Sequence, residues 1–119
     1  MTETYHKYSQ LAVWNNEIPN QQNKTLNDNW SKTQTFVWVM ALQDTMVWPA
    51  LGEHLGAPDP SHPLELVLPM NETDWYIQDY FGLKTAQLAG KNYFESFDGD
   101  HLQFTMEDFT RWVHMYLRK

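Results

Sequence analysis

An α/β fold is the class this sequence predicts, and three observations carry it. Residues 35–42 (TFVWVMAL) form a β-branched and aromatic run without alternation, the pattern of a strand covered on both faces of a parallel sheet. Residues 92–97 (NYFESF) give a second strand pattern, and helical patterns lie before, between and after the two. The order strand, loop, helix, strand, helix belongs to the closing crossover of an α/β sheet, where ligands and chemistry gather at the carboxyl ends of the strands. At 119 residues the chain has room for one small core, with two or three strands and flanking helices; a full crossover sheet needs more, so the sheet is expected to be incomplete.

Each element follows from local chemistry. Residues 10–29 are rich in Asn and Gln with a single Pro19, and lack a sustained period, which predicts a surface loop. A short helix over 25–34 is expected from Leu26 and Trp30 at i, i+4. After the first strand, Gly52, Gly56, Pro58, Pro60 and Pro63 argue against regular structure over 46–63. Residues 64–68 (LELVL) suit a short strand or edge piece that stops before Pro69. Thr73 or Asp74 can cap a helix through Tyr80, Gly82 suits its C′ position, and another turn or two follows before Gly90. The last helix opens with a capping box, Thr105 with Asp108 at N3, and is expected to run to Arg118. Its stripe of Met106, Phe109, Trp112, Val113, Tyr116 and Leu117 is expected to face the sheet.

Composition excludes several function classes. A net charge of -7, with the eight basic residues scattered, argues against a nucleic-acid partner, because that affinity comes from clustered Lys and Arg releasing counterions. No stretch approaches the roughly 18 apolar residues of a membrane span, and the first residues (MTETYHKYSQLAVW) have neither a basic n-region nor an apolar h-region. Without cysteine there is no thiol nucleophile, disulfide or thiolate metal site. Three sequons, at Asn23, Asn29 and Asn71, are possible glycosylation sites and point to a secretory route.

Chemistry is expected from Asp44 and His101, each just past a predicted strand. Acyl transfer needs a buried carboxylate that accepts the Nδ1 proton of a histidine, so that the ring keeps its tautomer and its charged form is stabilised. On α/β-hydrolases the chain order is Ser, Asp or Glu, then His, and these two residues fit its last two members. The plainer reading leaves Asp44 capping a turn and His101 as a surface loop residue. Asp100 adjoins His101, but neighbouring side chains on a loop point apart, which makes it a poor orienter.

Four segments resemble the palmitoyl-protein thioesterase family. The Asn-rich stretch from Leu11 with Asn29, Trp30, Phe36 and Val37 is similar to the family's loop, helix and strand. QDTMVWP (43–49), with Glu53 and Gly56, resembles its aspartate turn; ETDWYIQDYFGLK (72–84), followed by Ala89 and Gly90, resembles its Tyr-to-Gly-Leu-Lys segment; GDHLQ (99–103) resembles its histidine loop. The likeness covers residues 10–119 in order. It implies the C-terminal part of an α/β-hydrolase domain over 1–119, with Asp44 as triad carboxylate and His101 as general base. The implied substrate is a palmitoyl or other long-chain acyl thioester on protein cysteine or on CoA, with no cofactor and no metal, in a lysosomal or secretory setting.

One departure stands out. The family's nucleophile sits in a Gly-x-Ser-x-Gly elbow, and none of Ser9, Ser31, Ser61 and Ser96 has glycines at both flanking positions. An N-terminal half carrying the serine is therefore the expected partner, and the chain alone is expected to be inactive. The competing expectation is a short non-catalytic protein acting as a binding module. His54 and His62 are expected to be solvated loop residues, His114 to be exposed, and Trp38, Trp48, Trp75 and Trp112 to be core.

Overall fold

The computed structural model describes residues 3–117. Two parallel strands form its centre, β1 (Phe36–Ala41) and β4 (Asn92–Phe97), paired from Phe36 opposite Asn92 to Ala41 opposite Phe97. Between them run a 3-10 turn (Ala50–His54), a small antiparallel pair of β2 (Ala57–Pro58) and β3 (Val67–Leu68), and helices α4 (Asp74–Ile77) and α5 (Leu83–Leu88). Helices α1 (Glu3–Tyr8), α2 (Gln10–Trp14) and α3 (Lys24–Lys32) precede β1; α6 (Met106–Trp112) follows β4 and continues as a π-helical turn, Val113–Leu117. This is a mixed α/β arrangement.

Alternation along β1 divides its apolar residues between two clusters. Phe36 and Trp38 join Trp30 of α3 and Phe81, with ring centroids 4.4 Å apart for Trp30 and Phe36 and 4.8 Å for Trp30 and Phe81. Val39 and Ala41 face the buried core of Ala41, Phe97 and Trp112, where Phe104 and Tyr116 also pack. The strand is half-buried along most of its length rather than covered on both faces, because a two-stranded sheet offers too little surface for flanking helices to close over.

The short helix expected over 25–34 is present as α3, whereas the loop expected from residue 10 opens with helix α2 instead. Ser9 caps α2 by accepting from the Leu11 amide, and Asn23 caps α3 by accepting from the Thr25 amide. Buried Asn16 stitches the turn between them: its Oδ1 accepts the Asn23 amide at 2.6 Å, while its Nδ2 donates to the Asn23 carbonyl and to Asn27 Oδ1. Side-chain amides here replace the apolar repeat that a sequence reading looks for.

Three further expectations change. The 46–63 segment contains the 3-10 turn and β2; of 64–68 only Val67–Leu68 is strand, opposite Ala57–Pro58, with one further bond from the Asp59 amide to the Leu66 carbonyl. Trp48 is 63% exposed, so it is not core. The capping box of Thr105 and Asp108 forms, but α-helical geometry ends at Trp112, and Arg118 lies outside the described residues. Of the stripe, Trp112 is buried, whereas Met106, Phe109 and Leu117 are exposed, because the narrow sheet reaches only the middle of the helix.

Glu95 fastens that helix to β4. Its carboxylate accepts from the Tyr116 hydroxyl, from Trp112 Nε1 at 3.2 Å and from the Arg111 guanidinium at 3.1 Å. The Tyr116 hydrogen bond leads in holding its carboxyl below the ordinary 4.5, against a smaller upward push from burial. Glu95→Ala is expected to cost on the order of 2–3 kcal/mol in urea unfolding, by removing a charged acceptor shared by three donors. A depressed carboxyl stabilises the fold above its unfolded value, and that contribution is lost as pH falls through the folded one, so the wild-type advantage over the variant should shrink below about pH 4.5.

Candidate active site

Strand register brings the two predicted residues together. Ala41 pairs with Phe97, and the pairing runs on past the strand ends through the Leu42 amide to the Phe97 carbonyl and the Gln43 amide to the Gly99 carbonyl. Gln43 Nε2 adds a 2.6 Å bond to Asp98. Asp44 and His101 therefore leave the same end of adjacent strands on loops already zipped side by side.

Asp44 is fixed by the turn it makes. Its Oδ1 accepts the Met46 amide at 2.7 Å and the Val47 amide at 2.6 Å, which aims Oδ2 across the gap. There Oδ2 accepts from His101 Nδ1 at 2.7 Å, across 57 residues of sequence. The Asp44 side chain is 0% exposed and that of His101 28% exposed. Burial pushes the Asp44 carboxyl upward, and the bonds from Val47, His101 and Met46 outweigh it, so the group sits below 3.8. The Asp44 hydrogen bond raises His101 above 6.5, with the charges of Asp44, Glu53 and Asp100 adding to it and desolvation opposing.

Asp100 does not orient the ring, in keeping with its place next to His101, but its carboxylate joins the two loops. Its Oδ1 accepts the Thr45 amide at 2.8 Å and the His101 amide at 2.7 Å, and Thr45 Oγ1 donates to Oδ2 at 2.8 Å. The Thr45 and His101 amides are what hold its carboxyl below 3.8. Thr45 thus donates to the histidine loop while the two residues after it donate to Asp44.

Glu53 is the third acid here. From the 3-10 turn its Oε2 accepts the Ala41 amide at 2.8 Å. Asp44, Glu53 and His101 each offer a ligand atom within 4.8 Å of the others, a group with the donor set of a divalent-cation site. Those carboxylates are already engaged by backbone amides and the imidazole, which suits proton sharing better than chelation.

Other predicted residues lie elsewhere. Asn23, Asn29 and Asn71 are exposed, although Thr73 of the last sequon is buried and donates to the Met70 carbonyl. His62 is exposed, but His54 is half-buried, donates from Nε2 to the Glu95 carbonyl at 2.8 Å and meets Phe94 edge-on, so it is a packed residue rather than a solvated one. Neither the clamp by Asp100 nor the carboxylate of Glu53 at this site was inferred from sequence. The acid-rich DGDH next to a strand end was the available signal for the clamp; for Glu53 there was none beyond its place in the aspartate turn.

A carboxylate and an imidazole thus stand hydrogen-bonded at the carboxyl ends of adjacent parallel strands, an arrangement able to hold and pass a proton. Residues 1–101 match the family model described as palmitoyl protein thioesterase. The chain is also 40% identical over 102 residues to palmitoyl-protein thioesterase 1 of Caenorhabditis elegans, an alignment covering 85% of this chain and 33% of that protein. The chain therefore belongs to the palmitoyl-protein thioesterase family, and it spans about a third of the length of that curated relative.

Loss of the clamp should be visible residue by residue. Asp100→Ala is expected to speed amide hydrogen exchange at Thr45 and His101 by on the order of tenfold or more, the equivalent of about one lost hydrogen bond. Met46 and Val47, held by Asp44, should keep their protection. Equal acceleration at all four amides would show that Asp100 holds the whole loop rather than the joint.

Proposed function

We propose that the chain supplies the acid and base of a serine thioesterase that removes long-chain acyl groups, palmitoyl above all, from protein cysteines or from CoA. The observation that carries this reading is the 2.7 Å bond from His101 Nδ1 to the buried Asp44 carboxylate. With Nδ1 so engaged, Nε2 is the nitrogen that can serve a nucleophile.

In this reading residues 1–119 are the C-terminal part of a hydrolase domain whose serine and oxyanion amides belong to the N-terminal half. The serine oxygen attacks the thioester carbonyl carbon as its proton passes to His101 Nε2. Collapse of the tetrahedral intermediate breaks the carbon–sulfur bond, and the thiolate leaves with that proton. Water, deprotonated by the same nitrogen, then attacks the acyl-enzyme; the ester bond to serine breaks, the serine oxygen takes the proton back from Nε2, and the fatty acid is released. Asp44 stays ionised throughout and stabilises the imidazolium in each step.

Without its serine the chain should not turn over substrate, since triad members act as a unit. Exposed apolar residues including Leu64, Leu88 and Leu102 support a partner surface, for which the rest of the same enzyme is the proposed occupant. The exposed sequon asparagines support a secretory or lysosomal location.

The reading is tested in a chain completed with its N-terminal half. Asp44→Asn should lower kcat on a palmitoyl thioester about 10⁴-fold with the fold intact, because the wrong tautomer is then favoured. His101→Ala should leave no more than residual turnover. Near-wild-type kcat in either variant would refute the assignment. The acid limb of the wild-type pH profile should lie above 6.5, since the base must be neutral to act and its protonated form is stabilised here.

A further inference from the structure

Asp44 is not the only carboxylate built against the imidazole. We propose that Glu53 is a positioning residue for His101: its charge stabilises the protonated ring, while its hydrogen bond fixes the end of β1 from which Asp44 extends. The proposal rests on the reading of Asp44 and His101 as acid and base, and its test separates the two.

Strand geometry gives Glu53 this place. Parallel pairing sends the Phe36 and Leu42 amides to carbonyls of the β4 side, so alternation turns the amide of Ala41 toward the opposite, unpaired edge of β1. Glu53 Oε2 takes that amide at 2.8 Å. Ala41 is the last residue of the strand and is 1% exposed, so a buried donor would otherwise stand unsatisfied three residues before Asp44. The same carboxylate brings an oxygen within 4.8 Å of the ligand atoms of Asp44 and His101. It touches no reacting atom in this arrangement and acts through the ring.

The field at the imidazole comes from three elements. Asp44 approaches from the loop after β1, Glu53 from the 3-10 turn and Asp100 from the loop after β4; all three push the ring toward its charged form against desolvation. Asp100 spends its oxygens on the Thr45 and His101 amides, and Asp44 holds Nδ1 directly. Glu53 is the member whose charge can be removed while its backbone bond is kept, because a glutamine offers the same acceptor oxygen to Ala41.

The experiment is an NMR titration of the His101 ring in the 119-residue chain, with Glu53→Gln and Asp44→Asn beside the wild type. The wild-type midpoint is expected above 6.5. Glu53→Gln should move it downward while exchange protection of the Ala41 amide stays as it was, a combination that a purely structural role does not produce. An unmoved midpoint in a folded Gln variant overturns the proposal. If Asp44→Asn lowers the midpoint and Glu53→Gln does not, the role of Glu53 alone fails; if neither moves it, the acid–base reading fails too. Should the Gln variant not fold, Glu53→Asp carries the same test, because a side chain one methylene shorter draws the carboxylate back from the ring. The His101 midpoint should again fall, and an unmoved one overturns the proposal.

Discussion

Parallel pairing of Phe36–Ala41 with Asn92–Phe97 is the constraint on which the rest of this molecule depends. A parallel pair cannot be closed by a tight turn, so the chain must travel around through some fifty residues before it returns alongside itself. That long excursion makes everything at the strand ends a matter of register. A slip of one residue would turn Ala41 and Phe97 out of the core and carry Asp44 away from His101. Bonds beyond the strand ends, from Gln43 to Gly99 and to Asp98, guard against such a slip where it matters.

Much of this was legible in the sequence because it is written in short-range chemistry. Both long strands announced themselves through bulky residues, and Thr105 with Asp108 announced the start of the last helix. Asp44 and His101 could be singled out because each directly follows a strand. The helix over 25–34 was legible from Leu26 and Trp30, but α2 and the turn that joins it to α3 escaped, because that turn is held by amide side chains, with Asn16 bonding to Asn23 and Asn27, and no apolar period records such bonds. Trp48 misled for the opposite reason: a large apolar residue argues for burial, yet whether it is buried depends on surface contributed by distant residues. Glu53 could be placed in the aspartate turn, but not its contact, since its partner is a backbone amide twelve residues earlier.

The candidate site shows how loops are made rigid without a large core. Thr45 donates to Asp100, the next two residues, Met46 and Val47, donate to Asp44, and Asp100 also takes the amide of His101. Successive amides are thus shared between two carboxylates, one from each loop. Acidic groups that would repel one another in isolation are kept ionised by these amides and by the imidazole they surround. Local negative charge is in this way converted into order at the place where order serves proton transfer.

The carboxylate on the Ala41 amide has one more consequence, for how the sheet can grow. A third strand adding along the open border of β1 can form rungs at Val37 and Val39, but the rung at Ala41 is already occupied. Such a strand has to peel away one step early. Its departure would leave a notch beside the Asp44 turn, walled by backbone on one side and open above, so the same acid that quiets a bare strand margin also reserves space for whatever approaches the imidazole.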